Sequence, residues 1–221
     1  MGLRERKKAQ TRQLIADTAW RLFADRGFDR VPVAEVARQA QVALATVFNY
    51  FPTKEDLFFS RLEVFEERLL EAVATRAAGE PVLVAVRRQL LESDGGLLAQ
   101  VEADHPEALE RLRTVHRVIA ASPALLARER EALARSADAL AALLAAETDA
   151  PADGLEAQTV ANALLGVQRA LIDYTRRRVL ADEAPARLAA DVRRLGAGAF
   201  ALLENGLGRY GALGPPQDQT R

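Results

Sequence analysis

Residues 32–54 read PVAEVARQAQVALATVFNYFPTK. Val33, Val36, Ala37 and Ala40 recur at the three-to-four spacing of one helical face, and Pro32 suits the first helical position, where a missing N–H costs nothing. The pair Gln41-Val42 makes a turn. Beyond it Val47 and Phe51, four apart, turn inward, which leaves Leu44, Ala45, Thr46, Phe48, Asn49 and Tyr50 facing elsewhere. Pro52 stops the second helix. Two helices this short bury no core alone and must pack on something. Arranged as a helix-turn-helix, they lay the second helix in the major groove of DNA.

Upstream, a helix over residues 6–26 carries the inward stripe Leu14, Ile15, Thr18, Ala19, Leu22 and Phe23. Gly27 supplies its left-handed cap, and Phe28 folds back on Phe23 in the apolar contact that accompanies such a cap. Trp20, the one tryptophan, is expected to pack at an edge. Arg4, Arg6, Lys7, Lys8 and Arg12 form a basic arm, expected to be mobile, that leads into this helix. Charge is distributed accordingly: residues 1–60 hold 10 Lys/Arg against 7 Asp/Glu, although the whole chain has 30 against 31. A near-neutral total excludes holding nucleic acid by bulk charge, so any such contact is local.

Residues 12–57 resemble the DNA-binding domain of the tetracycline-repressor (TetR) family. The pattern runs through Leu14-Ile15-Ala16, Phe23, Gly27 and Phe28, then Val33, Val36-Ala37, Val42, Thr46-Val47-Phe48, Tyr50-Phe51, Lys54-Glu55 and Leu57. The resemblance implies base-facing positions at Leu44, Ala45, Thr46 and Phe48 and phosphate-facing ones at Asn49, Tyr50 and Lys54. Arg4, Lys7 and Lys8 of the arm join them as expected DNA contacts. Thr and Tyr hydroxyls are good donors to phosphates or base edges. Lys54, in the first turn after Pro52-Thr53, would present an ammonium beside N–H groups that favour an anion, while Glu55 and Asp56 complement the helix dipole. The chain also departs from the family. Many members have Gly-Val-Ser-Lys/Arg-Gly where this one has Gln41-Val42-Ala43-Leu44-Ala45. Without glycine, Gln41 must go left-handed at some cost or tighten the turn otherwise. Leu44 and Phe48 reach thymine methyls but make no bidentate guanine contact, so specificity is expected to lean on apolar contacts, the arm and DNA shape.

The remaining chain is rich in alanine and leucine and has no period-two stretch, so only helices are expected. A long helix over 54–78, ended by Gly79-Glu80-Pro81, links the reading head to further helices over 82–92, 97–104, 106–121, 123–147, 155–180 and 184–205. The expected fold is all-α. A three-helix helix-turn-helix DNA-binding domain over 1–53 is followed by a helical bundle for effector binding and dimerisation over 54–207 and a disordered tail over 208–221. The helix over 155–180 is apolar on two sides, with Ala157, Ala161, Leu165 and Ile172 along one and Val160, Leu164, Val167 and Leu171 along the other. Gly196 and Gly198 each cost up to about 1 kcal/mol mid-helix, which close approach by another helix would offset. These features mark the last two helices as the dimer surface. Members of the resembled family bind an effector in the bundle. His116, Asn162, Gln168, Arg169, Asp173 and Tyr174, polar on otherwise apolar helices, are the candidates to orient it.

Other chemistry has little material. Cysteine is absent, excluding disulfides and thiolate metal sites. No apolar run approaches the ~20 residues of a membrane span, and the basic N-terminus lacks a signal core, so a cytoplasmic protein without a membrane partner is expected. Gly206-Leu-Gly208-Arg-Tyr-Gly211 spells a dinucleotide-binding pattern but follows no strand. Glu102-Ala-Asp-His105 is a single E-x-x-H where a di-iron bundle needs two, and His116 has Arg113 in place of the glutamate. We therefore expect no metal, no cofactor and no enzyme. The expected protein is a homodimeric repressor that responds to a small-molecule effector and binds a palindromic site in double-stranded DNA. The alternative, suggested by Leu44 and Ala45, is a helical small-molecule-binding or interaction module without specific DNA binding.

Overall fold

The computed structural model describes residues 2–60, 63–93, 96–101, 106–147 and 154–206. Among them there is no strand, and no helix is long and apolar enough to cross a membrane. In chain order come α1 (Leu3–Arg26), α2 (Val33–Gln39), α3 (Leu44–Tyr50), α4 (Lys54–Phe59), α5 (Glu63–Ala74) and α6 (Val82–Leu91). There follow α7 (Leu97–Val101), α8 (Pro106–Ala120), α9 (Pro123–Glu147), α10 (Leu155–Leu180) and α11 (Pro185–Asn205). The all-α expectation holds.

Among the described residues two apolar cores form. The first gathers Ile15, Ala19 and Phe23 of α1, Val36 and Ala37 of α2, Val47 of α3, and Leu57, Phe58 and Phe59 of α4. Its centre is aromatic: Phe23 lies 5.1 Å from Phe28 and 6.1 Å from Phe58, ring centre to ring centre, and Trp20 covers the edge at 5.7 Å from Phe58. Val118, Ile119 and Leu125, from α8 and the start of α9, close this core from the other side. The division expected after residue 53 thus separates α4 from the core in which its buried face lies. The second core is built by α5 to α11 around Leu69, Leu90, Leu140, Leu164, Val192 and Phe200, with Leu112 of α8 at its edge. Gly96 fits between α6 and α7 because a Cβ there would come within 2.4 Å of the Gln89 carbonyl oxygen.

Several expectations are corrected. The basic arm is helical: α1 begins at Leu3, and the Gly2 N–H donates to Glu5 Oε2 at 3.0 Å, a cap that starts the helix early. Leu14, placed on the inward stripe, is 51% exposed, and Ala16 is buried instead. Pro32 stands one residue ahead of α2 as its N-cap. The expected 54–78 helix is described as α4 and α5, with Ser60 as the C-cap of α4. Residues 61–62 of the expected 54–78 helix, residues 102–105 with their E-x-x-H, and the tail over 208–221 lie outside the described residues.

Candidate nucleic-acid interface

The turn between α2 and α3 is made without glycine. Gln41 takes φ 55, in the left-handed region. Its N–H donates to the Arg38 carbonyl at 3.2 Å, and the Val42 N–H donates to the Ala37 carbonyl at 3.0 Å. That is the paired hydrogen-bond pattern of a Schellman cap, formed here by a side chain that disfavours it by roughly 1–2 kcal/mol. The turn aims α3 away from the core. Only Val47 of α3 is buried, whereas Leu44 and Phe48, four apart, are 43% and 44% exposed. Ala45 and Asn49 are exposed beside them, and Thr46 and Tyr50 are half-buried. Phe51 anchors the end of the helix in the core, with the Arg12 guanidinium 5.1 Å from its ring centre.

The expected cations fall in different places. Lys7 and Lys8 are exposed on the first turns of α1, and the side chain of Arg4 lies outside the described residues. Lys54 turns inward. Its Nζ donates to the Phe28 carbonyl at 2.6 Å and sits 4.3 Å from the Phe28 ring centre. Burial lowers the pKa of its ammonium, against the opposing charges of Asp29 and Glu55.

The head is also bonded to the bundle, through residues far apart in the chain. Ser122, one residue before α9, donates its hydroxyl to Asp29 Oδ1 at 2.8 Å. Arg128 of α9 donates to Asp56 Oδ1 from Nε at 3.1 Å and from Nη2 at 2.8 Å. Burial opposes ionisation of Asp56, but the hydrogen bonds from Arg128 and Thr53 and the Arg128 charge outweigh it and hold the carboxyl below its usual range.

The effector candidates separate into three settings. His116 and Gln168 are buried, and both His116 nitrogens and Gln168 Oε1 lack a hydrogen-bond partner. Thr175 and Arg176, buried on α10 and not singled out by sequence, also carry an unpaired Oγ1 and Nε. Burial, helped by the charge of Arg176, brings the His116 pKa down to about 4. Arg169 and Asp173 instead line a cleft between α9 and α10, beside the Arg176 to Glu129 ion pair. Asn162 is exposed, with its amide on the carbonyl of Gln158, and the Tyr174 hydroxyl donates to Asp191 at 3.0 Å. Among the described residues no cluster of His, Asp and Glu suits a metal ion.

Of the dimer candidates, Ala161, Leu165 and Gly196 are buried within the protomer. Gly196 receives Leu91, whose Cδ2 would lie 2.8 Å from an added Cβ. Ala157 and Ile172 pack against the same core. Gly198 is exposed, with no atom within 4 Å of the place its Cβ would take. Near it Leu202 is 44% exposed, and on α10 Gly166 and Ala170 are exposed too.

Residues 15–60 match the family described as bacterial regulatory proteins, tetR family, and residues 80–207 match the MftR C-terminal domain. The HTH-type transcriptional regulator TcmR of Streptomyces glaucescens is 33% identical over 85 residues, which is 38% of this chain and 38% of that protein. The putative mycofactocin biosynthesis transcriptional regulator MftR of Mycobacterium tuberculosis is 30% identical over 165 residues, 73% of this chain and 78% of that one. The crystal structure of NalD, the secondary repressor of the MexAB-OprM multidrug efflux pump in Pseudomonas aeruginosa, superposes with a TM-score of 0.54 at 19% identity, covering 89% of this chain and 96% of that one. This last likeness concerns the fold.

Proposed function

Because the chain belongs to the tetR family of bacterial regulatory proteins, and is a DNA-binding transcriptional regulator, we propose that it is a ligand-responsive repressor that reads a palindromic site as a dimer through the outward strip of α3. The observation that carries this reading is the exposure of Leu44 and Phe48 on a helix whose one buried side chain is Val47. Uncovered apolar side chains at adjacent turns suit thymine methyls in the major groove. Ala45 allows close approach, Thr46 and Asn49 offer polar groups to base edges or phosphates, and the Tyr50 hydroxyl reaches a phosphate. Lys7 and Lys8 meet the backbone from the start of α1.

The dimer forms through the outer faces of α10 and α11, where Gly166, Ala170, Gly198 and Leu202 are exposed. Two such helices from each protomer make a four-helix contact with a two-fold axis, and that symmetry calls for a palindromic site. The effector occupies the bundle on the side of His116, Gln168, Thr175 and Arg176, whose unpaired buried atoms are costly unless a partner arrives. It weakens DNA binding by the factor with which DNA weakens its own binding. The match of residues 80–207 to the MftR C-terminal domain makes genes of mycofactocin biosynthesis, named for that relative, the first place to seek the operator.

Selection from random duplexes, followed by fluorescence-anisotropy titration, tests the proposal. An enriched palindrome bound at nanomolar concentration supports it. Failure to enrich any sequence would leave the alternative, a helical binding module without specific DNA recognition.

A further inference from the structure

The head and the bundle meet through two kinds of contact. Val118, Ile119 and Leu125 press on the head core, but apolar burial is non-directional and by itself permits the head to tilt. Direction comes from polar contacts at two separate points, Asp29 with Ser122 and Asp56 with Arg128. The second is the stiffer. Asp56 Oδ2 accepts from the Thr53 N–H at 3.2 Å and Thr53 Oγ1 accepts from the Asp56 N–H at 3.0 Å, so the carboxylate is locked to the residue that follows the end of α3 by three positions. Its other oxygen takes both Arg128 bonds. The two side chains are 20% and 21% exposed, too covered for solvent to screen the pair as it does a surface one. On the far side, Glu129, the next residue, is ion-paired with Arg176, which anchors the same turn of α9 to α10.

We propose that Arg128 is a positioning residue for DNA recognition: by gripping Asp56 it fixes the tilt of the reading head on the bundle, and thereby the separation of the two α3 helices in a dimer. This rests on the dimeric, DNA-reading function proposed above. A palindrome is read only if both heads meet their half-sites at once, so head tilt becomes a preference for half-site spacing. Releasing Asp56 leaves each head able to bind but the pair less well spaced, which lowers the effective concentration of the second head.

The test uses the full-length protein and a duplex that the wild type has selected from random DNA, with companion duplexes in which the half-sites are one or two base pairs closer or farther apart. Wild type should prefer one spacing sharply. Arg128→Ala and Asp56→Asn should each lose about tenfold at that spacing and flatten the profile across the others. The double variant should be no worse than either single, because the interaction is lost once. The slope of affinity against salt should be unchanged, since neither residue meets a phosphate. Should Arg128→Ala fail to melt cooperatively, Arg128→Lys, which keeps the charge but loses the planar fork, gives the same reading. A folded variant with the wild-type spacing profile, or losses that add in the double variant, would overturn the proposal while leaving DNA recognition intact. Failure of the wild type itself to select a sequence would overturn both.

Discussion

The ammonium of Lys54 lies 2.6 Å from the carbonyl oxygen of Phe28, and so the cation at the start of α4 closes the end of α1 from within. Its place in the helical N-terminal turn suggested a phosphate contact; its hydrogen bond and its stacking over Phe28 suggest a structural one. Lys54→Met should therefore lower the stability of the head by about 1–3 kcal/mol, by removing the charged hydrogen bond to a carbonyl that then keeps only the Val31 N–H, at 3.3 Å, and by removing the cation–π contact. The dependence of DNA affinity on salt should stay as in the wild type. A drop of about one unit in the slope of log affinity against log salt would instead assign Lys54 to the DNA backbone.

His116 stays neutral in the folded protein because burial and Arg176 bring its pKa to about 4, whereas in the unfolded chain it titrates near the ordinary 6.5. Below 6.5 the unfolded state therefore takes up the proton first. Stability from this source is complete above pH 6.5 and declines as pH falls toward 4, by roughly 3 kcal/mol over the window. Urea denaturation of the wild type and of His116→Gln at a series of pH values measures this. The difference between the two should shrink by that amount from pH 7 to pH 4, and a constant difference would count against a neutral, buried imidazole.

Gly27 and Gln41 both have positive φ, with opposite consequences for substitution. Gly27 combines φ 83 with ψ 151, a conformation nearly closed to other residues, so Gly27→Ala should cost about 1–3 kcal/mol even though a Cβ would meet only the Arg30 side chain, at an ordinary contact of 3.7 Å. For Gln41, at φ 55, glycine removes roughly 1–2 kcal/mol of strain and adds about 0.5–1 kcal/mol of unfolded-state entropy. Gln41→Gly should raise the melting temperature slightly, and thermal melts of the two variants should move in opposite directions.

Gly196 and Gly198, two residues apart on α11, serve different surfaces. Gly196→Ala drives a Cβ into Leu91 and should destabilise the protomer by about 1–3 kcal/mol. At Gly198 an added Cβ has open space around it, so Gly198→Leu places a large side chain on the outer face of α11. If the outer face of α11 is the dimer contact, it should shift sedimentation toward monomer while the protomer stays helical by circular dichroism. An unchanged dimer would move the interface elsewhere.

Long periodic helices were the legible part of this chain. The stretches 123–147 and 155–180 coincide with α9 and α10 because many turns of consistent spacing, with Pro123 and Gly154 at their starts, leave little freedom. Leu14 misled because it stands next to the buried stripe on a helix that is partly covered, and spacing does not say how wide the cover is. A run of basic residues reads as a mobile arm, whereas Glu5, inside that run, caps α1 through the Gly2 N–H. Polar residues on α8 and α10 could not be sorted into buried and exposed because α10 is covered from several sides. Arg128 and Asp56 are 72 residues apart, and no local pattern pairs them.

If the exposed strip of α3 reads DNA, Phe48 is the residue to remove, because its side chain is 44% exposed and can be taken away without opening the core. The measurement is an anisotropy titration of wild type and Phe48→Ala against the duplex that wild type selects and against a scrambled duplex, at several salt concentrations. Phe48→Ala should lose about tenfold or more on the selected duplex, in line with the roughly 1–3 kcal/mol of a base contact, with little change on the scrambled one or in the salt slope. Equal affinity of the two proteins for the selected duplex would contradict it.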